Sequence, residues 1–204
     1  MEKDLASRDK LLEVAAPLFA MKGYAAVSIR EIAAAAGINS ALISYHFGGK
    51  SGLYTAVLEK EFTRVRIMID ELKQSRMGPR ECLRTYAERL GRLHSTSPYL
   101  LRLVTSELTT PTDCFEAVIK KRISAIAGFL MGVIEEGMKI GEFRRDVDAG
   151  NVAHALAGMI NFYFISTPIV RGFMPDSDNR TESYITQALA IFMEGLEQKN
   201  PMNR

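Results

Sequence analysis

The chain is poor in cysteine, with only Cys82 and Cys114 in 204 residues. The two lie too far apart for a CxxC motif and are too few for a disulfide framework, which fits a reducing compartment and two buried small hydrophobes. A charge surplus is missing too: 26 Lys and Arg against 24 Asp and Glu leave a formal charge of +2. Nothing in that total demands a nucleic-acid or membrane partner, so any basic surface must be local. Long apolar runs are also absent. Residues 1–8 mix charged and apolar side chains, unlike a secretory signal, and the longest apolar stretches, 125–134 and 155–165, fall short of the roughly 18 residues of a spanning helix. A soluble, cytoplasmic protein without a membrane partner is therefore expected. Period-two alternation is lacking, so no strand is proposed.

What is present is a globular balance, 47% hydrophobic and 25% charged, in a length worth roughly 1.4 domains at about 150 residues each. Apolar residues recur at three and four, which predicts an all-α fold. The first helix carries Leu11, Leu12, Ala15, Leu18 and Phe19 on one face and stops at Gly23. Pro17 inside it removes the bond to the Glu13 carbonyl and should kink the helix or cost about 3 kcal/mol. Ser28 and Glu31 form a capping box, Gly37 ends that helix, and Asn39 is a suitable N-cap for one that runs to Phe47. After Gly48 and Gly49 a long helix starts near Lys50 and continues past Leu72 to a break at Gly78 and Pro79. A boundary near Val57 divides the chain into domains 1–56 and 57–204.

In the second domain, Pro79 and Pro98 suit first-turn positions, and Leu83, Tyr86, Ala87, Leu90 and Leu93 share one helix side. Residues 109–113 read as a loop before a helix over 114–139 that Gly141 closes. Two further helices, 148–170 and 180–199, are apolar on more than one face, and such a helix must be buried on both sides.

Function is concentrated in residues 28–50, SIREIAAAAGINSALISYHFGGK. A helix-turn-helix needs a small residue at the helix crossing, a glycine in the turn and apolar residues under the second helix. Ala33, Gly37, Ile38 and Ile43 meet those needs at the required intervals. With Ile38, Ile43 and Phe47 inward, the opposite side shows Asn39, Ser40, Leu42, Ser44 and Tyr45. That face can hydrogen-bond to base edges and phosphates.

The ordered set of an amphipathic first helix, Gly23-Tyr24, Ile32-Ala33, Ala36-Gly37-Ile38 and the Y-H-F-x-x-K string from Tyr45 to Lys50 resembles the tetracycline-repressor (TetR) family of bacterial transcription regulators. Beyond the first quarter, the resemblance rests on helicity, the G-x-F-R-x-D-x-D string of residues 141–148 and two apolar last helices. It implies an N-terminal three-helix DNA-binding domain, followed by a larger helical effector-binding and dimerisation domain. It places Ser28, Arg30, Asn39, Ser40, Ala41, Leu42, Ser44, Tyr45, His46 and Lys50 at DNA-facing positions. Arg30 could bond bidentately to guanine, and Ala41 and Leu42 can touch only thymine methyls. Tyr45, His46 and Lys50 suit phosphates, which set register without reading sequence. His46 could instead pack beside Phe47. The family often has tyrosine where this chain has Ser44, so a different base preference is expected there. The charge is thin: residues 1–50 hold six Lys and Arg against five Asp and Glu.

The resemblance further implies a homodimer that binds a palindromic operator in double-stranded DNA, most often as a repressor, and is released by a small molecule. Leu90, His94, Leu101, Val104, Glu107, Leu108, Phe129 and Phe162 lie on apolar helix faces and are candidates for the effector pocket, with His94 and Glu107 its polar members. A buried Glu107 should pair with an arginine such as Arg102 or await a ligand's donor. Met159, Phe162, Ile165, Ile185, Ala188, Leu189, Phe192 and Leu196 are candidates for a four-helix dimer interface, although Phe192 could equally belong to the core.

Other signals lead nowhere. Gly49-Lys50-Ser51 lacks the strand and first glycine of a phosphate loop. The sequon at Asn179 carries no meaning in a cytoplasmic protein. Asp146 and Asp148 suit a turn and an N-cap better than a calcium loop, and His94 and His154 have no companion metal ligands. No catalytic residue, metal or cofactor is expected, and the chain reads as a non-enzyme. The rival readings are an all-helical ligand-binding protein or enzyme whose helix-turn-helix only packs, and an activator or architectural DNA binder.

Overall fold

The computed structural model describes residues 2–170, 172 and 179–198. They form nine α-helices: α1 (Glu2–Lys22), α2 (Ile29–Ala36), α3 (Ala41–Phe47), α4 (Lys50–Gln74), α5 (Pro79–Thr96), α6 (Tyr99–Thr109), α7 (Lys121–Ile140), α8 (Ala149–Val170) and α9 (Arg180–Leu196). The expected helix over 114–139 is therefore divided. Phe115–Lys120 is a π-helical segment, and only Lys121 onward is α. Lys199, the expected end of the last helix, lies outside the described residues.

The chain folds into two compact units, and both are discontinuous. One holds Met1–Arg64 and Ser97–Arg122, the other Val65–Thr96 and Ile123–Arg204. The sequence points to a single division at residues 56 and 57. The difference comes from α6, which packs on α1. Leu100 and Leu103 are buried there, and the π-helical segment follows with Val118 and Ile119 also buried.

The first unit is centred on Leu11, Leu12, Ala15 and Phe19 of α1, Ile32 of α2, Ile43 of α3, and Leu53, Tyr54, Val57 and Leu58 of α4. α1 runs through Pro17 without ending. Arg122 lies in a short ion pair with Glu59, which anchors the end of the unit's second segment to α4.

The second unit is organised around α5, which contacts both α8 and α9. Gly91 permits the α9 approach, because a Cβ there would sit 3.1 Å from Ile185 Cγ1. The string of residues 141–148 is structural. Gly141 takes a left-handed φ of 82°, and Phe143 lies so close to Gly137 that a Cβ there would be 2.2 Å from its ring. Arg145 donates to the Met138 and Lys139 carbonyls at the end of α7, at 2.8 and 3.0 Å. Arg144 forms a bidentate pair with Asp146, which holds that carboxyl down to about 2. Asp148 accepts from the Asn151 N–H at 2.8 Å, as an N-cap should.

α8 departs from expectation in one respect. Although no uninterrupted apolar run is long enough, Ala149–Ile169 reaches a mean hydropathy of 1.3 and is long and apolar enough to cross a membrane by length and composition. The core helix of a soluble protein meets the same test. Here Ala153, Leu156, Ile160 and Tyr163 are buried within the unit.

Candidate nucleic-acid interface

Short-range bonds shape the helix-turn-helix. Ser28 Oγ accepts from the Glu31 N–H at 3.1 Å and starts α2. Only half of the expected capping box forms, because Glu31 turns its carboxylate to Lys22, and this bond lowers its pKa. Gly37 has φ 63°, and the Gly37 and Ile38 N–H groups close on Ala34 O and Ala33 O. Asn39 Oδ1 then accepts from the N–H of Ala41, the first residue of α3, at 2.9 Å; the N-cap position itself is Ser40, one residue later than expected, and its side chain makes no cap bond.

Behind α3, Ile43 is fully buried. The first turn of α4 comes against the end of α3 at Gly52. A Cβ on Gly52 would lie 1.7 Å from the Phe47 carbonyl oxygen. This close approach was not legible in the sequence, where Gly52 carries no signal of its own.

Outward, Ser28, Arg30, Asn39, Ala41, Ser44 and Tyr45 are exposed, while Ser40, Leu42, His46 and Lys50 are half-buried. Tyr45, at 73%, is among the most exposed large side chains of the chain. His46 lies between the rings of Tyr45 and Phe47, with centroids 5.0 and 6.0 Å away. Lys50 is partly committed to the fold. Its Nζ donates to the Ala25 carbonyl at 3.2 Å and sits 4.5 Å from the centre of the Tyr24 ring. Tyr24 in turn packs on Tyr54, which packs on Phe19, both at 4.8 Å between centroids. These three aromatics support the site from beneath, and none of them stood among the sequence candidates.

The arrangement is an exposed, polar recognition helix on a rigid three-helix base, with one guanidinium at the start of α2. Comparison with known proteins agrees. Residues 11–57 match the family model described as bacterial regulatory proteins, tetR family, and residues 79–190 match that of the tetracyclin repressor-like C-terminal domain. The chain belongs to the TetR family. It is a DNA-binding transcriptional regulator. The HTH-type transcriptional repressor KstR2 of Rhodococcus jostii (strain RHA1) is 28% identical over 197 residues, covering 93% of this chain and 90% of that one. Among solved structures, a putative fatty acid metabolism regulator of Clostridium perfringens superposes with TM-score 0.79 at 18% identity, covering 93% and 100% of the two chains. AibR in complex with isovaleryl coenzyme A and operator DNA does so with TM-score 0.73 at 23% identity, covering 91% and 97%.

The effector candidates of this TetR-family chain are divided between the two units. Leu90, His94, Phe129 and Phe162 belong to the second unit, and Leu101, Val104, Glu107 and Leu108 to the first. Leu108 and Phe162 are exposed rather than set in an apolar interior. Glu107 is buried, and its partner is Thr112 rather than Arg102. It accepts from Thr112 N and Thr112 Oγ1 at 3.1 and 2.9 Å, and its charge helps to raise the Tyr54 phenol above its ordinary range, second to burial. Its partner is a loop residue five positions on, so an apolar-face argument could not find it.

His94 is the candidate with unusual chemistry. It is 5% exposed, shares a 3.0 Å hydrogen bond between Nε2 and Asn161 Oδ1, and meets the Phe164 ring at 5.1 Å. Its other ring nitrogen, Nδ1, is buried without a partner among the described residues. Burial pushes the imidazole below its usual value, against the opposing pull of Asn161. The folded state thus favours neutral His94, and its contribution to stability is complete above the unfolded pKa near 6.5. It is lost as the pH falls below that value, by up to about 1.4 kcal/mol per pH unit. Thermal denaturation from pH 7.5 to 5.5 should show His94→Gln losing less stability than wild type. Parallel curves would mean that His94 protonates equally in the folded and unfolded chain.

The dimer candidates also separate. Ile185, Leu189 and Leu196 are core residues of their own unit, since α9 presses that face on α5. Met159, Ala188 and Phe192 are half-buried, and Phe162 and Ile165 are exposed. Two residues absent from the candidates, Ile169 and Ile191, are each 74% exposed. In α8 the sequence could not rank these positions, because that helix is apolar around most of its circumference.

Proposed function

We propose that this regulator is a cytoplasmic homodimeric repressor that holds a palindromic operator and releases it when a small molecule binds the second unit. The observation that carries the reading is the exposed face of α3 with Arg30 beside it. One such face spans less than a turn of DNA, so specificity requires two heads about 34 Å apart. The exposed apolar side chains Phe162, Ile165, Ile169 and Ile191 suit the surface that pairs them. His94 and Asn161 are a polar pair in apolar surroundings, which is how a drug-sized ligand is oriented. Ligand binding that favours one spacing of the heads over another couples the two sites. The AibR structure, a complex with both isovaleryl coenzyme A and operator DNA, supports such a coupling for this fold.

Among the described residues there is no group of three or more side chains able to hold a metal ion, and the relatives are named as regulators. Footprinting tests the reading. A defined palindrome supports it, uniform protection points to an architectural binder, and no protection points to a helix-turn-helix that only packs. Arg30→Ala should cost about 1–3 kcal/mol on the operator and relax preference at one base pair. An unchanged ratio of operator to random-duplex affinity would overturn base reading by Arg30.

A further inference from the structure

The thin charge of the DNA-binding residues becomes thinner in the structure. Of the six cations within residues 1–50, Lys22 is paired with Glu31, Lys50 is tied to Ala25 and Tyr24, and Arg30 is the base reader. A protein that holds DNA still needs several phosphate contacts, because counterion release supplies most of the affinity that does not depend on sequence.

Two exposed cations of α1 stand beside the recognition helix. The Arg8 guanidinium carbon is 5.4 Å from the centre of the ring of Phe47, the last residue of α3. A Cβ built on Gly37, in the turn that leads into α3, would lie 4.0 Å from Lys10 Nζ. One cation thus marks each end of the recognition element. Stacking on an aromatic face leaves the edges of a guanidinium free to donate. Among the described residues Lys10 has no ion pair, and Arg8 has only a long one, to its neighbour Asp9 at 3.9 Å, beyond hydrogen-bond distance. Both precede residue 11, where the match to the family model begins.

We infer that Arg8 and Lys10 grip phosphates on either side of the recognition helix and supply the backbone-binding charge that residues 28–50 lack. Phe47 acts as the platform that orients Arg8. The inference rests on the reading of α3 as the DNA-recognition helix.

The test uses the full chain, with operator and random duplexes titrated between 0.05 and 0.3 M salt. Each substitution, Arg8→Ala or Lys10→Ala, removes two cations from a dimer. The slope of log affinity against log salt should fall by about 1.8, and affinity near 0.1 M salt by about 60-fold, for both duplexes alike. The preference for operator should stay as in wild type. Arg8→Lys, which keeps the charge, should keep most of the slope, and this separates lost charge from lost stacking. Slopes unchanged in both alanine variants would overturn the inference. So would a lost slope accompanied by a lowered melting temperature that Arg8→Lys fails to rescue. A wild type that shows no preference for any duplex would instead overturn the underlying DNA reading, which makes the two failures distinguishable.

Discussion

Gly52→Ala is expected to cost at least about 3 kcal/mol and to abolish operator binding. The methyl group would occupy a point 1.7 Å from the Phe47 carbonyl oxygen and 2.9 Å from its carbon. The obstacle is backbone at the end of a helix, so no rotamer change relieves it. The end of α3 and the first turn of α4 must instead move apart. Leu53 and Tyr54, fully buried beside that junction, would lose their packing with it. A fall of roughly 6–12 °C in Tm follows for a chain of this size. Gly132→Ala is the contrasting control, since nothing lies within 4 Å of its Cβ. In a helix interior it should be neutral or stabilise by up to about 1 kcal/mol. Equal melting temperatures for Gly52→Ala and wild type would show that α3 does not rest on α4 as described.

The same junction shows what a sequence discloses. Ser28 and Gly37 were legible as caps, and Asn39 to within one residue of one, because each bonds groups only two to five residues away. Turn chemistry acts at that range. Glu31 was misread for the complementary reason: its carboxylate goes to Lys22, nine residues back on another helix. Gly52 could not be read at all, since its necessity depends on where a carbonyl of α3 arrives in space. The return of α6 to the first unit lies at still longer range, because its pairing with α1 is a tertiary contact that no local pattern announces. Within α8, periodicity identified the helix but not its faces. Ile185 and Ile191 of α9 are equally apolar, yet one packs beside Gly91 and the other is exposed. In α8, hydrophobic on nearly every face, the amphipathic asymmetry that separates core from interface is almost lost, whereas α9 keeps polar positions such as Glu182, Ser183, Gln187 and Glu194.

That separation yields the second large effect: Phe162→Arg should give folded monomers that no longer hold the operator. Phe162, Ile165 and Ile169 lie three and four residues apart on one side of α8, and they are 67%, 47% and 74% exposed. Burying each of these side chains is worth about 1.5–3 kcal/mol, so two copies of the stripe provide ample energy for association. A two-fold interface is self-complementary, and one substitution introduces two charges that must both be desolvated. The subunit itself should tolerate the change, because a side chain already in water loses little when it becomes charged. Ile185→Arg is the counterpart. It places a charge in the core against Gly91, where the Cβ of that glycine would already be 3.1 Å from Ile185, and it should unfold the second unit. Phe192, half-buried, discriminates less well between core and interface. Loss of the second head removes the intramolecular half of binding, so operator affinity should fall by about 10²–10⁴. Sedimentation at micromolar concentration decides the matter, with circular dichroism as the check on folding. A Phe162→Arg protein that sediments as a dimer would place the pairing surface elsewhere than on this face of α8.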